Sequence, residues 1–276
     1  MLACRRRFEE GEDRASRAAS VQRYPPLLPG DDRVLWSGME QTEKPYTIIF
    51  EDEELLVADK LAPIPVQVEK SGDRPLQDML RDELRERGTP DFLEAAHRID
   101  RRASGAVLFA RTPKALSTLE AAFRDHRIDK TYLACVEREP EPNQGRLEHR
   151  LVWDKRRNVV RALAAEGPSK ERGEGGKPVA AERAVLEYRL VGRSERYFFV
   201  EVSLITGRHH QIRAQFSAAG FPIRGDLKYG ARRSARNGLI MLHARKLGFA
   251  QPRSGERIEV LAPFPASEPL WLQCPQ

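Results

Sequence analysis

Cysteine is scarce in this chain: three residues in 276, Cys4, Cys135 and Cys274, odd in number and far apart. No two form a C-x-x-C pair, so neither a zinc site nor a disulfide framework is expected, and a reducing, cytoplasmic compartment suits such a sequence. Long apolar runs are missing as well. No stretch approaches the ~20 consecutive apolar residues that a bilayer-spanning helix needs, so no membrane partner is expected. Arg5, Arg6 and Arg7 stand near the start, but Glu9, Glu10, Glu12 and Asp13 follow where an apolar segment would have to lie. That pattern is neither a secretory signal nor a transit peptide. Aromatic residues are few, at 7%, yet the 40% apolar share is that of a folded chain.

Charge is plentiful. Lys and Arg number 47 against 41 Asp and Glu, a formal net charge of +6, and charged residues make up 32% of the chain. A basic, globular protein with recurring arginine clusters favours nucleic acid or another polyanion as its partner.

Residues 1–44 lack sustained periodicity and carry Pro25-Pro26, Pro29-Gly30 and Asp31-Asp32. They read as an arm, with Val34-Leu35-Trp36 as its one apolar docking segment. The body, 45–276, opens with a hairpin pattern: Tyr46 to Phe50, an acidic turn, then Leu55 to Ala58. Leu76, Met79, Leu80 and Leu84 follow helical spacing and stop at Gly88; Ala115, Leu116, Leu119, Ala122 and Phe123 do so behind Thr112-Pro113. Strands are expected at 106–110, 130–136, 184–190, 198–204 and 239–243, and a short helix from Ile212 to Gly220. Residues 165–178, rich in Gly and charge, read as a flexible hairpin tip. There is no internal repeat. The pattern is α+β with a mixed, largely antiparallel sheet.

One stretch concentrates chemistry: His97-Arg98-Ile99-Asp100-Arg101-Arg102-Ala103-Ser104-Gly105. A carboxylate among three guanidiniums is kept ionised beside groups that also attract phosphate, which suits an anionic nucleophile working on a polyanion. On these residues alone a second reading stands equally: Asp100 pins a loop and the arginines are surface charge.

Four ordered blocks settle on a family. His97-Arg98-Ile99-Asp100-x-x-Ala103-Ser104-Gly105 comes first and Lys130-Thr131-Tyr132-x-Ala134-x-Val136 second. The third is Thr206-Gly207-Arg208-x-His210-Gln211-Ile212-Arg213, continued by Gly220-x-Pro222-Ile223-x-Gly225-Asp226-x-x-Tyr229-Gly230, and the last is Leu242-His243-Ala244. Across residues 46–265 the chain resembles the RluA-type pseudouridine synthases. It departs from their usual pattern at Ile99, where Leu is common, and at Ala103, where Thr is common and its hydroxyl would bond to the loop.

The resemblance implies a pseudouridine synthase fold: a central mixed, mainly antiparallel sheet bent into two halves, with a catalytic cleft and flanking helices. It implies isomerisation of specific uridines to pseudouridine in ribosomal or transfer RNA, without cofactor or metal. Asp100 matches the family's catalytic residue; an ordinary Asp titrates near ~3.9 and needs no separate base to be a carboxylate. Whether it attacks the sugar, attacks the base or abstracts a sugar proton stays open. Arg213 matches the basic residue paired with that Asp, where a bidentate fork would orient the carboxylate. Tyr132 matches the active-site aromatic that stacks on the extruded base, and Arg98 the residue that fills the vacated space. Arg208, Lys228, Arg232, Arg233 and Arg236 are candidate phosphate contacts, of which Arg208 and Lys228 are assigned to substrate binding.

His97 is expected to be structural. The pair His209-His210 lacks zinc-enzyme spacing and has no Cys or acidic cluster near it in sequence, so no metal is assigned. Residues 1–45 are too short and too interrupted by proline for the RNA-binding S4 domain that such enzymes often carry. Selection then falls to the cleft and the arm, which points to a compact stem-loop substrate and a monomeric enzyme. Two other classes compete: a silent RNA-binding protein, for which an intact Asp100, Tyr132 and Arg213 would be superfluous, and a metal-dependent hydrolase on His209 and His210.

Overall fold

A computed structural model of the chain describes residues 44–69, 72–168, 170–172, 178–235 and 238–275; the proposed arm, apart from Lys44, and Arg236 lie outside them. In chain order the elements are β1 (Tyr46–Glu51), β2 (Leu55–Lys60), α1 (Leu76–Glu86), β3 (Glu94–Ala95), β4 (Ser104–Ala110), α2 (Pro113–Arg124) and β5 (Asp129–Val136). There follow β6 (Gln144–Asp154), β7 (Val159–Ala164), β8 (Lys170–Arg172), β9 (Pro178–Ala180), β10 (Glu182–Arg193), β11 (Phe198–Leu204), α3 (Gln211–Ala218), β12 (Leu242–Ala250) and β13 (Arg257–Leu261).

Most of the expected elements stand where periodicity puts them. α1 buries Leu76, Leu80 and Leu84, three residues on one stripe, each contributing about 1.5–3 kcal/mol on burial. α2 begins as its sequence suggests: Thr112 accepts the Ala115 amide at its hydroxyl, and Pro113 occupies the first turn.

The sheet runs β1-β2-β4-β12-β5-β11-β10-β6-β7, with β13 added on β12 and β3 on β4. Every pairing is antiparallel except β12 with β4, where His243 lies beside Ser104 and Ala244 beside Gly105. The architecture is thus α+β around a mixed, mainly antiparallel sheet. Gly105 has φ +114°, and a Cβ there would collide with the backbone of Ala244. The parallel joint therefore requires glycine at the end of the Asp100 motif. Ser104 Oγ and His243 Nδ1, 2.9 Å apart and buried, fasten the same joint.

Three expectations need correction. The last strand is not 239–243 but Leu242–Ala250, because it continues along β5 and β13 for its whole length. β6 and β7 were not foreseen; their Arg, His, Glu and Gln residues mask the alternation. Within 165–178, Lys170–Arg172 pairs with Pro178–Ala180, so part of the supposed loop is a small separate ribbon. Backbone pairing needs no apolar side chain, so composition gave no sign of it. Among the described residues no helix is long and apolar enough to cross a membrane.

Candidate active site

Asp100 lies in the loop before β4, a loop held from below. Lys60, the last residue of β2, is fully buried, and its ammonium faces four carbonyl oxygens: Ala103 at 2.6 Å, Ile64 at 2.9 Å, Arg101 at 3.1 Å and Leu61 at 3.3 Å. Two of these belong to the residues that follow Asp100. The Ala103 amide donates to the Asp100 carbonyl at 3.0 Å, closing the turn. The missing Thr hydroxyl is thereby made good: Ala103 is fully buried, and its carbonyl takes the shortest of the Lys60 bonds. Burial pulls the Lys60 ammonium down to about 7, against the pull of Asp100 and Asp59.

His97 is structural, as expected. Its Nε2 accepts the Leu108 amide at 3.0 Å and its ring packs 5.0 Å from Phe123. Arg101 is committed as well, to the Pro63 carbonyl and the Asp73 carboxylate.

Arg213, on the first turn of α3, reaches Asp100 across 113 positions. Its Nη1 donates to Asp100 Oδ2 at 3.3 Å. The bidentate fork expected for Asp100 goes elsewhere: Nε and Nη2 clamp Asp226 at 2.6 and 2.8 Å, and Asp226 is buried. Burial alone would lower the guanidinium, but Asp226 and Asp100 outweigh it and leave Arg213 more firmly protonated than a free arginine. Asp226 had no role in the sequence reading. Gly225 before it has φ +85°, and a side chain there would strike the Leu239 carbonyl, so the turn that presents Asp226 depends on glycine.

Tyr229 supports the same cation from another side: the Arg213 guanidinium lies 4.8 Å from its ring centroid. The Tyr229 hydroxyl accepts the Val160 amide at 2.8 Å and is hydrogen-bonded to His210 Nδ1, also at 2.8 Å. His210 takes a left-handed conformation, φ 52°, at the start of α3. Burial, with Arg213 beside it, pushes its imidazole down to about 2, so the ring is neutral.

Tyr132, on β5, is buried; its strand lies between β12 and β11, where it pairs with Ala244 and Val202. Burial raises its phenol well above the usual range, and the negative charge of Asp100 raises it further, so the hydroxyl keeps its proton at neutral pH. Asp100, His209 and His210 also come together, their ligand-capable atoms all within 4.8 Å of one another. The fold thus brings one carboxylate to the histidines, although no Cys or acidic cluster accompanies them in sequence. The donor set suits a metal poorly all the same. The two rings are stacked, 3.9 Å between centroids, and the positive charges of Lys228 and Arg213 act on His209, where a metal cation would have to sit beside them.

Arg98, Arg102, Arg208, Lys228, Arg232 and Arg233 are exposed. Arg98 and Lys228 both act electrostatically on His209, lowering its imidazole together with burial. Arg208 leans on the Arg183 carbonyl and on Glu182, so any phosphate must compete with those contacts.

With this geometry in view, the chain can be set beside known proteins. The family model described as RNA pseudouridylate synthase matches residues 54–218. Among curated proteins, ribosomal large subunit pseudouridine synthase D of Zymomonas mobilis is 31% identical over 239 residues, covering 82% of this chain and 71% of that protein. Ribosomal large subunit pseudouridine synthase C of Pasteurella multocida is 35% identical over 239 residues, with 82% and 66% covered. Two solved human structures share the fold. RNA pseudouridylate synthase domain containing 4 has a TM-score of 0.64 at 23% identity over 80% of this chain and 89% of that one. RNA pseudouridylate synthase domain containing 1 has a TM-score of 0.62 at 24% identity, covering 82% and 87%.

Proposed function

The chain belongs to the RNA pseudouridylate synthase family and is an RNA isomerase, and on that premise we propose that Asp100 is its catalytic carboxylate, working on an extruded uridine. The observation that carries this reading is how Asp100 is held. One oxygen takes the single Arg213 bond at 3.3 Å, the other has no hydrogen-bond partner among the described residues, and the side chain is 17% exposed. A carboxylate serving only as a loop anchor would accept amides of its own loop, and neither oxygen of Asp100 does so.

In the reaction the bond from uracil nitrogen to the sugar breaks and one from uracil carbon forms; the carbon loses a proton and the nitrogen gains one. No electrons are exchanged, so no metal or cofactor is assigned. Asp100 supplies the anionic oxygen, toward either the sugar or the base, and Arg213 fixes its direction. Tyr132, protonated and walled in by its strand neighbours, offers a stacking face and a hydroxyl donor rather than a base. Extrusion leaves a gap in the RNA that exposed Arg98 is suited to fill, while Arg208 and Lys228 meet phosphates beside the pocket.

The printed names of the relatives point to large-subunit ribosomal RNA as the substrate, in preference to transfer RNA. A stem-loop suits a site at which one base must leave its stack. The same reading takes the enzyme as a cytoplasmic monomer, in line with the free, buried thiols of Cys135 and Cys274.

Incubation with bulk uridine-labelled RNA, followed by nucleoside chromatography, tests the proposal. Wild type should yield pseudouridine with or without a chelator, and Asp100→Ala and Asp100→Asn none. Equal yields from all three proteins would overturn the role of Asp100, and yield lost to chelation would bring the His209-His210 site back into the mechanism.

A further inference from the structure

A row of aromatic rings leads outward from Asp100. His210 is nearest the protein interior, His209 stacks on it at 3.9 Å, and the indole of Trp153 tilts against His209 at 5.8 Å and 51°. Trp153 lies near the end of β6 and is 48% exposed, whereas Trp271 is buried at 2%. Among the described residues it is the one exposed large aromatic side chain. Keeping so much indole in water forgoes its burial energy, and the fold recovers nothing from it.

The position of the ring is nevertheless fixed. Trp153 pairs with Val160 across the β6–β7 hairpin, and the Val160 amide is bonded to the Tyr229 hydroxyl that in turn holds His210. The hairpin is therefore tied to the same tyrosine that braces Arg213. Its turn carries Lys155 and Arg157, both exposed, and the charges of exposed Arg98 and Lys228 are felt at His209. A flat aromatic surface edged by cations is the surface to which an unpaired nucleobase and its phosphates bind.

We propose that Trp153, together with His209, forms a stacking shelf for an unpaired base next to the target uridine. The inference rests on the function proposed above and adds to it: the enzyme engages its RNA as a single-stranded or loop segment in which a neighbouring base is also unstacked. Lys155 and Arg157 hold the phosphates of that neighbour.

Binding separates the shelf from the chemistry. In the Asp100→Ala protein, titration with poly(U) should quench tryptophan emission, and a blunt RNA duplex should not. Adding Trp153→Phe should abolish the quench while affinity for poly(U) is kept, and adding Trp153→Ala should weaken that affinity about tenfold, within the range measured for loss of a base stack. On labelled RNA, Trp153→Ala in the otherwise native enzyme should raise KM by a similar factor, with the loss falling on KM rather than kcat. Undiminished poly(U) affinity in the Trp153→Ala protein, equal quenching by the duplex, or a loss confined to kcat would each overturn the shelf. Because the titrations use an enzyme lacking Asp100, their outcome is independent of whether Asp100 is catalytic.

Discussion

Asp226 holds two nitrogens of the Arg213 guanidinium, at 2.6 and 2.8 Å, so that Asp100 receives only the third, at 3.3 Å. The buried pair is the anchor and the longer contact is the one that can yield to substrate. Asp226→Asn retains one acceptor and the volume of the side chain but releases half of the clamp. Arg213 is then free to turn its fork to Asp100 and occupy both carboxylate oxygens. The expected result is a folded enzyme with kcat lowered about tenfold or more and KM little changed, read by single-turnover kinetics. Arg213→Lys should cost about 100-fold in kcat, since one ammonium cannot serve two carboxylates in these directions. An Asp226→Asn enzyme with native kcat would show that the fork does not set the Asp100 geometry.

Lys60 is placed to act on the site without touching it. Replacing it by Met leaves four carbonyls of the turn region without their donor, a loss of about 3 kcal/mol after the loop relaxes. The folded fraction of Lys60→Met should also turn over more slowly, because Arg101 and Ala103 no longer fix the loop of Asp100. There is a pH signature too. The ammonium is held at about 7 in the fold against 10.5 when free, so between those values the unfolded chain binds the additional proton and stability rises with pH. Urea unfolding from about pH 7 to about pH 10 should show that rise in wild type and not in Lys60→Met.

How far the site was legible follows from these two side chains. Asp100 and Arg213 stand in ordered motifs and were found there. Asp226 stands in the third motif too, but an Asp after a glycine reads as a turn residue, and only the fold reveals that it takes the guanidinium fork. Lys60 gives no signal whatever: a lysine at a strand end is nearly always solvated, and its burial arises from a carbonyl cage assembled by residues 61–64 and 101–103. Strand β6 was missed for a related reason, since Arg146, Glu148 and Arg150 alternate with Leu147, His149 and Leu151 and hide a strand that pairs with polar β7 on one side and distant β10 on the other. Periodicity found the elements that face one apolar core; it could not find polar groups that are buried against backbone.

Asp59, the neighbour of Lys60, is 5% exposed, and one of its oxygens has no hydrogen-bond partner. Burial pushes its carboxyl up to about 7, with Lys60 and Arg245 pulling the other way. The folded chain therefore binds the additional proton between about 3.8 and 7, and this residue withdraws stability as pH rises through that window. Asp59→Asn removes the ionisation and should stabilise the protein by an amount on the order of 2 kcal/mol at neutral pH. The gain should shrink toward pH 4, where the folded carboxyl is already neutral. Thermal unfolding of the two proteins at both ends of that range checks it; a constant difference would assign the effect to packing.

Three histidines, His243 buried and His97 and His210 half-buried, act in the opposite sense. His97 is held at about 3, His210 at about 2 and His243 at about 4, in each case chiefly by burial. Two of the rings also accept a hydrogen bond that only the neutral form can take: His97 from the Leu108 amide, and His243, whose Nε2 faces the Ala262 carbonyl, from the Ser104 hydroxyl. A histidine whose folded value lies below its free value of 6.5 leaves the unfolded chain with the additional proton between the two, so stability is lost as pH falls below 6.5. Three such groups give about 4 kcal/mol per pH unit at full slope, less about 1.4 returned by Asp59 over the same window. Unfolding free energies measured between about pH 6 and pH 4.5 should fall with a slope that approaches, at its steepest, the net two protons (three histidines less Asp59). His97→Gln places an amide oxygen near Nε2, keeps an acceptor for Leu108 and cannot titrate. Its slope should be smaller than the wild-type slope by one proton, and an unchanged slope would mean that His97 is already charged in the folded protein.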